Sequence, residues 1–332
     1  MAQEIRLLTI LPGSFPSKIR VCLDIKSFVT EDSEWETDSE LEFGEDSDPD
    51  YEADLDLTFE ALSYTWGSPL EAVDILIGES GSRTVKLTQN LAEALPYLRY
   101  PDKSRTIWID AICVNQQDLE ERSSQVKRMA DIYSKASQVV VWLGPEREDS
   151  QLAMDFCKEV SANTVIAWDR QTIALAPGCE EEHWADENEF LHWTLDEEVA
   201  VCDLLKRDWF TRLWIWQEVI LARSAVFMCG SNRLPWENIR EAILCLYIKP
   251  KSAYTFENLY ENLHVLYNLC IGKRDAGFHN LVDWTRHSSC SDPRDRLYAL
   301  FSLLCPAEKM LAIEPDYTKS TSQVFLSSPS VI

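Results

Sequence analysis

Two acidic side chains stand where a carboxylate is out of place. Asp110 lies inside the run Thr106-Ile107-Trp108-Ile109-Asp110-Ala111-Ile112-Cys113-Val114, and Glu218 lies inside Trp214-Ile215-Trp216-Gln217-Glu218-Val219. A carboxylate among bulky apolar neighbours needs a partner, because burying an unpaired charge is very unfavourable. Such groups are also the raw material of acid–base chemistry and of cation stabilisation. For Glu218 the alternative is an ion pair with Arg212 or Arg223 at the rim of an amphipathic helix. Near Asp110, the residues Asn115, Gln116 and Asp118 gather at the carboxyl end of an expected strand. They either line a pocket at the sheet edge or, for Asn115 and Asp118, cap the helix that follows. Cys113 reads as packing rather than as a nucleophile, since no histidine is placed by sequence to activate it.

Several familiar chemistries lack their spacing. The chain has no G-x-G-x-x-G fingerprint, no G-x-x-x-x-G-K-[ST] phosphate loop, no G-x-S-x-G elbow and no H-E-x-x-H. Of its five histidines, His287 stands near a cysteine, Cys290, at a loose ligand spacing. That pair lacks the two further ligands a tetrahedral zinc site needs, so no metal is expected.

The elements that must position these residues alternate strand and helix. Ile5–Leu11 and Ile19–Ile25, parted by Pro12-Gly13-Ser14, predict a hairpin. Phe59–Trp66 predicts a strand stopped by Gly67-Ser68-Pro69. In Asn90–Leu98, Leu91, Ala94, Leu95 and Leu98 share a helical face, with Thr88 or Asn90 as N-cap and Pro96 bending or ending the last turn. Thr106–Val114 predicts a central strand covered on both faces. A helix over Asp118–Lys135 follows, striped by Val126, Met129, Ala130 and Tyr133, then a buried strand over Val139–Leu143. Ser150–Val160 reads as a helix, 178–198 as an acidic insertion, 208–222 as helical by residue type, and Ala225–Cys229 as a strand. The order implies α/β with a mostly parallel sheet. Beyond Trp236 the chain reads as mainly helical, with a turn at Cys290–Asp295 and a helix over Arg296–Leu304.

Charge narrows the partners. A formal charge of −25 repels phosphate backbones and anionic lipid, so neither nucleic acid nor membrane is expected. Residues 31–56 hold fourteen of the acids and no Lys or Arg, a composition expected to stay a disordered loop. Ten scattered cysteines without a C-x-x-C pair read as free thiols in a reducing compartment. With no leader pattern and no long apolar run, a cytoplasmic or nuclear location is expected.

Several blocks together resemble a known family. Ala61–Gly67, Ile107–Gln116 with Glu121, Gln125, Met129, Ile132 and Tyr133, Val141–Gly144, Arg212–Glu218, Asp292–Leu300 and Pro315-Asp316-Tyr317 resemble the successive blocks of the heterokaryon incompatibility (HET) domain of filamentous fungi. The resemblance covers roughly residues 4 to 325. It implies a role in fungal allorecognition and programmed cell death, a form of innate immunity. The HET domain is in turn similar to the TIR domain, a flavodoxin-like fold whose members assemble as signalling scaffolds or cleave NAD. On that likeness the architecture would be a hairpin at 1–30, the acidic loop 31–56, a core over 57–235 with an insertion at about 150–205, and a helical extension over 236–332. Trp214 to Glu218 resembles the W-x-x-x-E helix of NAD-cleaving TIR domains. Glu218 would then be catalytic, with Ser63, Trp66, Gly67, Asp110, Asn115 and Trp214 around the ligand. NAD would be substrate rather than bound cofactor, and the expected partners are a second copy or another signalling protein. The alternative is a non-catalytic module acting by association, in which Glu218 is salt-bridged and no such pocket exists.

Overall fold

The structure, a computed structural model, describes residues 4–15, 17–28, 57–68, 72–78, 83–147, 149–272, 275–309 and 314–326. The acidic stretch expected to be a loop lies outside them. Four parallel strands form the centre: β3 (Glu60–Tyr64), β6 (Arg105–Trp108), β7 (Val139–Trp142) and β10 (Ala225–Cys229). Their lateral order is β6-β3-β7-β10, so the second parallel strand lies outside the first and the chain then crosses to the other side. In open α/β sheets such a reversal leaves a crevice at the carboxyl strand ends. Every residue of β7 and β10 is buried, which explains why both are continuous apolar runs.

Antiparallel neighbours extend this centre. β1 (Glu4–Ile10) and β2 (Arg20–Ser27) form the expected hairpin, with Ile10 opposite Val21, and β1 lies antiparallel against β6. β4 (Ala72–Ile77) and β5 (Arg83–Thr88) make one outer hairpin, and β11 (Asn232–Pro235) pairs with β10 at the other edge. The nine-stranded sheet is therefore mixed rather than mostly parallel, β11-β10-β7-β3-β6-β1-β2-β4-β5. The expectation of parallel pairing holds for its core and for the short contact of β2 with β4, where Val21 lies opposite Ile77.

Helix α1 (Gln89–Leu98) buries Leu91, Ala94, Leu95 and Leu98, the predicted stripe, and runs on past Pro96. Asn90 is no cap: its amide donates to the Thr65 carbonyl and its oxygen accepts from Trp142 Nε1 at 3.2 Å.

Three expected elements break. The run Thr106–Val114 is a strand only to Trp108, after which α2 (Asp110–Cys113) is one helical turn. The Ile109 carbonyl collects the N–H groups of Ile112 and Cys113, at 3.0 and 2.7 Å, which turns the chain off the sheet. The helix expected over Asp118–Lys135 is two, α3 (Leu119–Lys127) and α4 (Met129–Lys135). Arg128 sits at the break and its guanidinium binds the carbonyls of Glu4 and Phe28, tying the junction to the N-terminal hairpin. The third break, between 208 and 222, leaves a 3-10 turn at Asp208–Thr211, an extended Arg212 and the short α7 (Ile215–Ile220). Here the C-terminal region intervenes, since Leu213 N donates to Ser289 O and Ser289 N to Thr211 O.

The segment 150–205 folds as α5 (Ser150–Asn163), a small hairpin of β8 (Thr164–Ala167) and β9 (Thr172–Leu175), and α6 (Leu195–Leu205), whose Thr194 and Glu197 form a capping box. The rest is helical as expected: α8 (Trp236–Ile248), α9 (Ala253–Ile271), α10 (Phe278–Thr285), α11 (Asp295–Phe301), α12 (Pro306–Lys309) and α13 (Thr321–Leu326). No helix among the described residues is long and apolar enough to cross a membrane.

Candidate functional site

A cavity of about 500 Å³ opens at the carboxyl ends of β3 and β6. Its walls come from five places in the chain: the loop Thr65-Trp66-Gly67 after β3, Trp108 and Asp110 at the end of β6, Arg122 and Gln125 on α3, Arg212, Trp214 and Glu218 around the start of α7, and Asp292, Asp295 and Tyr317 from the C-terminal region. This volume lies within the range of small-molecule sites.

Glu218 is 1% exposed and both of its carboxylate oxygens are engaged. Arg212 grips it with two parallel bonds, Nη1 to Oε2 at 3.0 Å and Nη2 to Oε1 at 2.9 Å. The Ser63 hydroxyl donates to Oε2 and is itself held by Trp209 Nε1 at 2.7 Å. Burial works against the charge on Arg212, but the field of Glu218 and its hydrogen bonds outweigh that and raise the guanidinium pKa above its ordinary value. Thus the ion pair expected of a signalling module and the pocket expected of an enzyme occur together.

Asp110 begins α2 and borders the cavity. Its Oδ1 accepts from Ala111 N at 2.7 Å and its Oδ2 from Trp66 Nε1 at 2.8 Å. Burial pushes the carboxyl up to about 6 from 3.8, with Glu218 adding to the rise and the Trp66 bond and Arg212 opposing it. Trp66, 38% exposed, is thereby fixed at the mouth of the cavity. Gly67 lets the loop turn there: its φ is +74°, the left-handed region that side chains with a Cβ disfavour.

Trp214 is fixed in the same manner. Its Nε1 donates to Asp295 Oδ2 at 3.0 Å, and Tyr317 donates to Asp295 Oδ1 at 2.5 Å. Burial raises the pKa of Asp295, the two hydrogen bonds opposing it. The Tyr317 ring lies under the Arg122 guanidinium, 3.6 Å from the centroid.

Of the residues expected around a ligand, Trp66, Gly67, Asp110 and Trp214 border the cavity with Glu218, while Ser63 reaches it only through Glu218. Asn115 is a correction, because it is not part of the lining. Its side chain accepts from Gln117 N at 3.2 Å in a local turn, and Asp118 caps α3 through Glu120 N and Glu121 N. Cys113 packs in α2 with its thiol pushed up to about 12 by burial. Asp295, Tyr317, Arg122 and Asp292 were given no role from sequence, although the blocks Asp292–Leu300 and Pro315–Tyr317 were the available signal. His287 accepts from Arg286 at 2.9 Å, and no cluster of three His, Cys, Asp or Glu able to hold a metal occurs among the described residues.

Comparison with known proteins adds a family. Residues 59–218, which span β3 to Glu218, match the family model described as heterokaryon incompatibility protein (HET). Over this segment the chain is similar to the HET domain. It is similar to the heterokaryon incompatibility protein 6, OR allele, of Neurospora crassa, at 29% identity over 325 residues, covering 82% of this chain and 47% of that protein. The chain thus spans about half the length of that relative. No solved structure matches. The match ends at Glu218, so Asp292, Asp295 and Tyr317 reach the cavity from beyond the matched part of the HET domain.

Proposed function

We propose that this HET-domain protein acts in heterokaryon incompatibility as a trigger of programmed cell death, and that it does so by hydrolysing NAD at the bond between nicotinamide and ribose. The observation that supports this reading is the presence of Glu218 in a roomy cavity at the carboxyl edge of a parallel sheet. The strand order second-first-third-fourth is that of flavodoxin-like folds, which favours the TIR likeness. In this reading Glu218 faces the positive charge that develops on the ribose as nicotinamide leaves, and Arg212 with Ser63 holds the carboxylate in place. Trp66 and Trp214, each fixed through its indole nitrogen, give flat walls for the nicotinamide ring.

A second reading is favoured by the Arg212 clamp itself. Both Glu218 oxygens are engaged, as expected of a non-catalytic module that acts by self-association or by binding another signalling protein. The deciding experiment is nicotinamide release from NAD at high protein concentration by the wild type and Glu218→Gln, with folding of both verified by circular dichroism. Release that vanishes in the variant supports hydrolysis. Silence from an assembled wild type moves the function to association.

A further inference from the structure

Hydrolysis needs a second group besides Glu218. Water attacking the ribose must lose a proton, and the chain has to place an acceptor where that water enters. Glu218 is poorly suited, since three donors, two of them from the Arg212 guanidinium, already bind its carboxylate. Asp295 takes one neutral donor on each oxygen, from Trp214 and Tyr317, Asp292 is held by Arg294 at 2.7 Å, and Asp208 is exposed. No histidine borders the cavity among the described residues.

Asp110 is close enough to Glu218 to feel its charge. Each of its oxygens takes one neutral donor, Ala111 N or Trp66 Nε1, and a carboxylate oxygen accepts two. With the Tyr64 hydroxyl also turned toward the carboxyl, at least one lone pair remains, on a side chain that borders the cavity. The helical turn that Asp110 opens fixes its backbone. The titratable and charged groups around it are Tyr64 on β3, Cys113 on α2, Tyr133 on α4, and Arg212 and Glu218 at α7. Two acids in one cavity thus have different surroundings, one bound to a guanidinium and one not, the pattern that divides labour between paired carboxylates.

We propose that Asp110 is the general base of the reaction, taking the proton from the water that replaces nicotinamide while Glu218 faces the ribose cation. The inference rests on the NAD-hydrolysing reading. The bond from the ribose carbon to the pyridinium nitrogen breaks, its electron pair going to the nitrogen and leaving neutral nicotinamide. The water oxygen bonds to the same carbon, and its proton passes to Asp110 and then to solvent. The products are nicotinamide, ADP-ribose and one proton.

The test compares two nucleophiles on the full chain. A neutral pyridine such as 3-acetylpyridine attacks through its nitrogen lone pair and has no proton to lose, so exchange of nicotinamide for it needs no base. Asp110→Asn is expected to lose about 100-fold in hydrolysis, the scale of general-base catalysis, and to keep exchange within about threefold. Glu218→Gln is expected to lose both. In the wild type, hydrolysis should decline as pH falls through about 6 while exchange does not, a comparison that holds even if the variant folds poorly. Equal loss of both reactions in Asp110→Asn, or loss of neither, overturns the assignment of Asp110 alone. A wild type that supports neither reaction overturns the hydrolytic reading, and this inference with it.

Discussion

Arg212 and Glu218, six residues apart, meet in a parallel two-bond pair at 2.9 and 3.0 Å beside the cavity. The extended backbone of Arg212 makes this reach possible, because a continuous helix through the segment would direct the two side chains differently. The pair is nearly enclosed, with 2% of the Glu218 side chain and 17% of the Arg212 side chain exposed.

Breaking such a pair from one side leaves an uncompensated buried charge. Glu218→Gln and Arg212→Met are each expected to lower stability by about 3–5 kcal/mol, whereas the double variant should lose less than the sum of the two. Urea denaturation of all four proteins measures this. Additive losses would show that the two side chains are not coupled.

Acid pH should act on Asp110 in a definite direction. Its carboxyl is raised to about 6 in the folded chain against an ordinary 3.8, so between those values the folded state binds more proton than the unfolded state. Stability is therefore lost as pH rises through this window and stays lower above it, by up to roughly 2–3 kcal/mol from this one group. Asp110→Asn removes that dependence and, keeping its one oxygen on Trp66, gives up the bond from Ala111 N, worth about 1 kcal/mol at every pH. Relative to wild type, the variant should thus look worse at pH 4 than at pH 8. Unfolding midpoints at the two values check this, and an unchanged difference would rule out a raised Asp110.

Much of this frame was legible from local sequence. The 3.6 period gave the four buried positions of α1, and four consecutive apolar residues gave β7. What failed had two physical causes. A short apolar run such as Ile109–Val114 suits a buried strand or a helical turn equally, and only the backbone bonds to Ile109 decide between them. The half-exposed hairpin of β4 and β5 has little burial contrast to reveal it. The site was half visible for a related reason. Glu218 and Asp110 stand out as acids among apolar neighbours, whereas Trp66 meets Asp110 across 44 positions and Trp214 meets Asp295 across 81. Contacts at such separations leave no periodic trace.

Gly67 carries the turn that brings Trp66 over the cavity. Gly67→Ala forces an L side chain to a φ of +74° and sets its Cβ 3.4 Å from that of Asn90, which also holds this loop through Thr65. The expected cost is about 1–3 kcal/mol. If the loop relaxes instead of straining, the Trp66–Asp110 bond is lost and the indole becomes mobile. Thermal melting together with quenching of tryptophan fluorescence by acrylamide separates the two responses. Unchanged stability and unchanged quenching would show that the loop does not depend on this glycine.

The C-terminal wall gives a prediction that separates shape from hydrogen bonding. Tyr317→Phe keeps the ring under Arg122 and removes only the donor to Asp295, so about 1 kcal/mol of stability should be lost. Tyr317→Ala also removes a buried ring packed on Tyr298 at 5.3 Å and should cost about 3–5 kcal/mol. Because Asp295 fixes Trp214, both variants should loosen that indole, yet only the alanine opens the cavity wall. Binding of NAD, followed by calorimetry on Glu218→Gln so that no turnover intervenes, should weaken far more in a background of Tyr317→Ala than of Tyr317→Phe. Equal affinities in the two backgrounds would mean that the cavity is complete without the region beyond residue 218.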